Sequence, residues 1–420
     1  MELDAIPQPE LEQIEQMGGA DLVIGIVDLE RRVEGGTAVA MTREALAELS
    51  QPLRAMVVCN NGTHGPGTAA PEADVDKPSL TVSSCGLPLP GPAETQQQTI
   101  SNAYRRVFAV GHKLGVRACG VIATPPEAVT RKWVYQLVQP VVDLGFDLVA
   151  PCYTRQKMEG LLNRSMLSPL HRALYGERLE NPMGPDFGLS GRLLQRILAQ
   201  DSTRQRGGER SALASLASAA ACGGFQVCES HLGVRTHSPV DWENLSSLLV
   251  DILGATFLEM EGRAAYWQNI RGSKALPKFG LPEPAVPDTG TVDVNRMIET
   301  FQLGTQNLQD VWGLILPPTT SLELRRLARL PRDQFCLPDQ VWARIVYDFA
   351  LGHRLRTINR DHLLRSMTPL YLGWIASYTM EMQAAGPAEV ALRIERLSKA
   401  YEDNKSYLLS RWRWPDRFNP

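Results

Sequence analysis

The 420-residue chain has no apolar stretch long enough to cross a bilayer. Its compact hydrophobic runs, such as Leu22–Val27, fall far short of the roughly 20 residues that a spanning helix needs. It also lacks an excess of either charge: 43 Lys and Arg against 46 Asp and Glu leave a formal charge of −3. That balance excludes a protein built around bulk polyanion binding, so nucleic acid is not an expected partner. Cysteine is scarce, with seven in the whole chain (Cys59, Cys85, Cys119, Cys152, Cys222, Cys228 and Cys336). No two form C-x-x-C and none joins histidine at zinc-finger spacing, which excludes a disulfide framework and a zinc module. They read as small buried hydrophobes of a reducing compartment. The opening residues, MELDAIPQPELEQIEQM, contain neither a basic stretch nor an apolar core of the kind that directs export, so the expected location is cytoplasmic.

With 44% hydrophobic residues the chain can fill a sizeable core, which excludes disorder as its main state. The first half alternates short β-type runs with helical patterns. The runs are Leu22–Val27 (LVIGIV), Ala55–Cys59 (AMVVC), Cys119–Ala123 (CGVIA), Phe146–Ala150 (FDLVA) and Phe225–Ser230 (FQVCES). Helical spacing appears at Val39, Leu46 and Leu49, in ISNAYRRVFAVGHKLG, after Arg131, over Leu189–Gln200 and over Arg210–Cys222. Strands alternating with helices of this length predict βαβ units and a parallel sheet, hence an α/β fold. The Gly/Pro-rich stretch from Asn60 to Gln98 reads as irregular. Asp241–Arg271 reads as a long helical stretch, with Ser238 and Pro239 at its start.

From Val292 onward the pattern is helical. Trp342, Ile345, Val346 and Phe349 recur at i, i+3, i+4 and i+7, which predicts one buried helical face, and Leu363, Leu364, Met367, Tyr371 and Trp374 continue it. The expected organisation is an N-terminal extension (1–19), an α/β domain (20–271), a linker (272–292) and a helical C-terminal domain (293–420).

Five segments occur in an order that identifies a family resemblance. They are VAPCYTRQKMEGLLNRSMLSPLHRALYG (Val149–Gly176), MGPDFGLSG (Met183–Gly191), FQVCESHLGVRTH (Phe225–His237), YWQNIRGSKALPKFG, and VWARIVYDFALGHRLRTINRDHLLRSMTPLYLG. Through them the chain resembles retaining glycosyltransferases of the GT-A fold, in the bacterial branch around mannosylglycerate synthase and glucosyl-3-phosphoglycerate synthase. The resemblance runs from about Ala20 to Trp414. It implies a Rossmann-type sheet with a helical C-terminal region, a nucleotide-sugar donor and a small polar acceptor such as a glycerate derivative. It also implies Mg²⁺ or Mn²⁺ on the diphosphate, because a leaving diphosphate develops charge that a metal held by a D-x-D pair and a His neutralises.

The donor side departs from that pattern. After CGVIA, where the D-x-D belongs, the chain reads Ala123-Thr124-Pro125. Glu127 is the nearest carboxylate, and only a re-registered loop brings it to a metal. Asn61 stands where an acidic turn residue is expected, Ile100 where a phosphate-binding Lys is expected, and Leu213 where an acid is expected. Asp28 and Glu30 remain in the first loop, beside Arg31 and Arg32. On the acceptor side Asp186 falls where the family places an acidic residue near the reaction centre, and His237 aligns with its metal-binding His. Arg155, Lys157, Arg271 and Lys274 form a candidate anion site that neutralises a leaving phosphate without metal. Loss confined to the donor half is the pattern of a pseudoenzyme. The alternatives are an active metal-independent transferase and a non-catalytic partner of an active paralogue; a homodimer is also compatible with the apolar C-terminal helices.

Two tempting motifs carry no chemistry. NRDH (Asn359–His362) lacks an upstream Gly-rich loop and a downstream DFG, so Asn359 or Asp361 is expected to cap a helix. GPGT (Gly65–Thr68) is followed by no Gly-Lys-Ser/Thr and is no Walker loop. Trp412 and Trp414 are expected to pack.

Overall fold

The computed structural model describes residues 12, 14–15, 19–27, 35–49, 53–59, 72–73, 81–86, 96–123, 130–204, 212–235, 244–284 and 292–415. In chain order, β1 (Leu22–Ile26) is followed by α1 (Gly35–Leu46), β2 (Arg54–Cys59), β3 (Glu72–Ala73), β4 (Thr81–Gly86), α2 (Gln96–Leu114) and β5 (Ala118–Ile122). Next come α3 (Arg131–Val142), β6 (Leu148–Thr154), a π-helical turn (Asn163–Leu167) running into α4 (Ser168–Tyr175), and β7 (Phe187–Ser190). Then α5 (Gly191–Arg204), α6 (Ala212–Gly223), β8 (Val227–Val234), α7 (Leu245–Gly262), α8 (Ala264–Trp267) and β9 (Lys278–Phe279) follow. The C-terminal region is helical: α9 (Val294–Asn307), α10 (Gln309–Trp312), α11 (Pro318–Leu327), α12 (Asp339–Leu355), α13 (Arg360–Ser366), α14 (Thr368–Met382), α15 (Pro387–Asp403) and α16 (Lys405–Arg413).

The described residues fall into two compact units. One gathers those within 1–154, 181–236 and 276–284; the other gathers those within 155–180, 237–275 and 285–420.

The first unit is built on a nine-stranded sheet of order β3-β4-β2-β1-β5-β7-β6-β8-β9. β1 pairs in parallel with β2 and β5, Leu22 lying opposite both Ala55 and Ala118. β1 and β5 are buried along their whole length, as expected of parallel strands covered on both faces. On one face Leu22, Ile24, Val57 and Ile122 pack with Trp133, Leu137 and Val141 of α3. On the other, Tyr104 and Phe108 of α2 meet Phe187 at 5.5 and 6.0 Å between ring centroids.

β7 departs from the parallel pattern. It runs antiparallel between β5 and β6, with Val121 opposite Phe187 and Leu148 opposite Leu189. A Cβ on Gly188 would lie 2.0 Å from the Leu137 carbonyl oxygen, so only glycine lets α3 ride this close to β7. The sequence pattern assigns Leu189–Ser190 to a helix; here they end β7, and α5 starts at Gly191. β4 and β9 likewise arise inside stretches read as irregular.

The second unit centres on α12. Its sequence pattern predicts one buried face, yet every residue from Val341 to His353 except Arg344 is buried. Trp342 stacks against Tyr371 and Trp374 at 6.0 and 6.1 Å, and Trp374 against Tyr378 at 5.2 Å. In the π-helical turn the Ser165 carbonyl accepts from Trp342 Nε1 (3.3 Å) and Tyr401 Oη (2.9 Å). Buried charge is paired within the unit: Asp348 accepts from Tyr407 Oη at 2.8 and 2.9 Å and faces Arg411 Nε at 2.8 Å. Burial nonetheless pushes the Asp348 carboxyl up to about 7, against the pull of Arg411 and Tyr407.

Asn359 caps α13, its side chain accepting from the Asp361 and His362 amides. Trp412 packs edge-on against Trp267 at 5.1 Å. Trp414, expected to pack, is 72% exposed. It follows the last turn of α16, beyond the helix face that Trp412 buries. No described helix is long and apolar enough to cross a membrane.

Candidate functional site

The antiparallel β7 decides what stands at the end of β5. Because Phe187 pairs with Val121, the residue before it, Asp186, is delivered to the C-terminal edge of β5 beside Ala123. Tyr153 arrives from the end of β6 and Arg235 from the residue after β8, so three neighbouring strands converge. Ligands of open α/β sheets bind at this carboxyl edge.

Asp186 is fully buried. Its Oδ1 accepts from the Ala123 amide at 2.8 Å, and its Oδ2 accepts from Tyr153 Oη at 2.5 Å and Arg235 Nη1 at 3.1 Å. Arg235 Nη1 also donates to Tyr153 Oη at 3.1 Å, and its guanidinium carbon lies 5.1 Å from the Tyr153 ring centroid. Tyr104, buried on α2, donates to the Pro185 carbonyl at 3.1 Å and fixes the backbone next to Asp186. Burial, reinforced by the Asp186 charge, holds the Tyr104 hydroxyl far above its ordinary range despite Arg235. Burial works against the Arg235 charge, but Tyr153 and Asp186 outweigh it and keep the guanidinium protonated above its usual value. The result is a charge-assisted cluster that satisfies a buried carboxylate and ties three strand ends together.

Of the sequence-derived candidates, Asp28, Asn61, Glu127 and His237 lie outside the described residues. Asp186 sits in the cluster above. The four candidate cations belong to the second unit. Lys157 donates to the Gln383 carbonyl at 2.9 Å, and Arg155 packs over Gly160. Arg271 is exposed and donates to the Gln268 and Ile270 carbonyls. Lys274 is exposed and pairs with Glu177 at 3.9 Å, while its backbone exchanges hydrogen bonds with Gly176 and Arg178. Beside them Lys405, which donates to the Ile270 carbonyl at 3.0 Å, is pushed down to about 8 by burial and by the Arg271 charge.

Tyr153, Arg235 and Tyr104 were not among the sequence candidates. Arg235 falls within the FQVCESHLGVRTH segment, five residues past the predicted strand Phe225–Ser230, and that segment was the available signal. Tyr153 falls within the VAPCYTRQKMEGLLNRSMLSPLHRALYG segment, and nothing local marks Tyr104. Among the described thiols Cys59, Cys119, Cys152 and Cys228 are buried, and burial pushes Cys119 up to about 12.

The divalent ion implied by the resemblance finds no fit at Ala123 and Asp186. Ala123 ends in a methyl group, and Asp186 is ringed by an amide, a hydroxyl and a guanidinium, all donors. A carboxylate already neutralised by a buried arginine is a poor ligand for a hard cation.

No protein-family model matches the chain, and no curated protein matches it. Among solved structures, it is similar to glucosyl-3-phosphoglycerate synthase from Mycobacterium tuberculosis in complex with Mn²⁺, UDP-glucose and phosphoglyceric acid. That match has 15% identity over 60% of this chain and 84% of that one, with a TM-score of 0.33. It is also similar to mannosyl-3-phosphoglycerate synthase from Rubrobacter xylanophilus, with 13% identity over 61% of this chain and 80% of that one and a TM-score of 0.35. Likeness this slight decides neither fold family nor activity; the mostly parallel α/β sheet and the helical C-terminal region stand on their own topology.

Proposed function

We propose that the chain is a glycosyltransferase-type protein of the GT-A fold in which metal-assisted sugar transfer has been lost. It binds a nucleotide sugar or a small acid without turning it over, or acts as regulatory partner of an active paralogue. The observation that carries this reading is the end of β5: Ala123 offers no carboxylate, and its amide is taken by Asp186, whose other oxygen is held by Tyr153 and Arg235. Where a metal-dependent transferase needs two oxygens free for a cation, this edge presents a closed, internally neutralised cluster. Asp186 then works electrostatically, by fixing Arg235 and the ends of β5, β6 and β8, not by touching an acceptor.

The reading is supported by the five sequence segments that resemble the family and by the α/β topology that brings three of them to one sheet edge. Its test is a transfer assay on the purified chain with UDP-glucose or GDP-mannose, with glycerate or 3-phosphoglycerate, in Mn²⁺. No glycosylated acid is expected. Accumulation of a glycosylated acid with stoichiometric release of the nucleoside diphosphate overturns the proposal.

A second reading, metal-independent transfer, is favoured by the positive charge gathered around Ile270–Lys274, where burial and then the Arg271 charge push Lys405 down. It requires turnover that survives EDTA and is abolished by Arg155→Ala or Lys274→Ala.

A further inference from the structure

The segment Leu276–Pro284 crosses the ends of β8 and β6 as a strap. At its start the Pro277 carbonyl accepts from the Glu229 amide at 2.9 Å, and Lys278 reaches the Glu229 carboxylate at 3.1 Å. At its far end Glu283 makes three contacts with three different elements. Its Oε1 accepts from Lys132 Nζ of α3 at 3.1 Å, its Oε2 accepts from the Val234 amide at 3.2 Å, and its carbonyl accepts from Thr154 Oγ1 at 3.1 Å. Gly233, at φ +106, makes the approach possible: a Cβ there would stand 2.6 Å from Glu283 Oε1.

Lys132 and the Val234 amide donate to the two oxygens of the carboxylate, and they come from α3 and β8 without help from the strap, while the Thr154 hydroxyl of β6 holds the strap's main chain. An ammonium and a peptide N–H on the two oxygens of one carboxylate form a site for an anionic oxygen group. It lies at the carboxyl edge of the sheet, next in sequence to Arg235 and Tyr153, where α/β folds take ligands. Glu283 fills it with a side chain of the same chemistry. The hold is light, because Lys132 and Glu283 are 40% and 39% exposed and a pair so wet is screened. Phe279 anchors the start of the strap edge-on against Phe146 at 5.5 Å, whereas Leu281, beyond it, is 81% exposed, so the apolar hold ends before Glu283.

We propose that Glu283 is an internal stand-in for a ligand. The strap carries its carboxylate into an anion site made by Lys132 and the Val234 amide, and a phosphate or carboxylate group of a small molecule displaces it. The site requires no nucleotide and no metal, so it stands apart from the glycosyltransferase reading and fails or survives separately from it.

The test is calorimetric titration of the full chain at fixed ionic strength with inorganic phosphate and, in parallel, with acetate. Wild type is compared with Glu283→Gln, Glu283→Ala and the double variant Glu283→Gln with Lys132→Ala. A strap closed nine-tenths of the time raises the apparent dissociation constant about tenfold, so removing the competitor lowers it by about that factor. Glu283→Gln keeps the size and an acceptor for Val234 while losing the charge, so it reports displacement even if the alanine variant folds poorly. The gain disappears when Lys132 is removed, and amide exchange at Val234, faster in Glu283→Ala, slows again on adding phosphate. Tightening for phosphate alone assigns a phosphate group, for acetate alone a carboxylate, and for both the shared anion chemistry. Equal dissociation constants in wild type and both single variants for both probes overturn the proposal, as does a gain that survives Lys132→Ala.

Discussion

Asp186→Ala is the sharpest perturbation of the sheet edge. The substitution deletes the acceptor for the Ala123 amide, for Tyr153 Oη and for Arg235 Nη1, and leaves Arg235 as a charge only 8% exposed. Breaking a buried pair by removing one partner costs about 3–5 kcal/mol, because the surviving ion stays desolvated and uncompensated. The lost bonds to Ala123 and Tyr153 belong to the same network and do not add in full. Asp186→Asn keeps an oxygen for the Ala123 amide but no charge for Arg235, so it should cost less, about 2–3 kcal/mol. Pairing Asp186→Ala with Arg235→Met removes both charges and should recover much of the loss, because the orphaned ion is the main cost. The assay is urea denaturation with amide exchange read at β5 and β7, so that the first unit is followed by itself. Asp186→Ala within about 1 kcal/mol of wild type, the range of an exposed ion pair, would refute a buried clamp. So would a double variant no more stable than Asp186→Ala.

Three further outcomes follow from the same geometry. His353, 2% exposed on α12, is pushed down to about 4 by burial and by Arg360 and Arg356. Its folded value lies below the unfolded one, so its contribution is complete above about pH 6.5 and is lost as pH falls towards 4, with a ceiling of about 3 kcal/mol. His353→Leu should flatten the stability–pH curve in that window, and an unchanged slope contradicts the assignment. Gly188→Ala places a Cβ against the Leu137 carbonyl and should destabilise by more than about 3 kcal/mol, read as a lowered urea midpoint; a near-neutral result contradicts the close approach of α3 to β7. Arg393→Met strips Asp339 of contacts at 2.7 and 2.8 Å and Glu381 of one at 2.5 Å, and should cost about 3 kcal/mol at neutral pH, with partial recovery in acid as the stranded carboxylates protonate.

The parallel core was legible because its strands announce themselves: the continuous apolar runs LVIGIV, AMVVC and CGVIA became β1, β2 and β5, and FDLVA and FQVCES, which carry polar residues as well, became β6 and β8. β7 was not. Its four residues, FGLS, are too few to show a period, and its antiparallel placement depends on Gly188 admitting the Leu137 carbonyl, a contact 51 positions away that no local pattern records. The site suffered from the same blindness. Asp186 could be singled out by its segment, but its partners Tyr153 and Arg235 stand 33 and 49 positions away. They meet only because β6, β7 and β8 are neighbours in the sheet. Glu283 sat in a Pro-rich stretch read as linker, and nothing in KFGLPEP reveals that it lands on β8. Along α12 the i, i+3, i+4 pattern captured one face, while Asp348 and His353 disguised the burial of the others.

The central claim is that this edge no longer uses a metal to hold a nucleotide diphosphate. Calorimetric titration of the purified chain with UDP, GDP, UDP-glucose and GDP-mannose, each with and without Mn²⁺, tests it most directly. The account predicts that Mn²⁺ leaves every isotherm unchanged, whether a given nucleotide binds or not. Binding that tightens about tenfold or more on adding Mn²⁺, and returns to its starting value with EDTA, would contradict it.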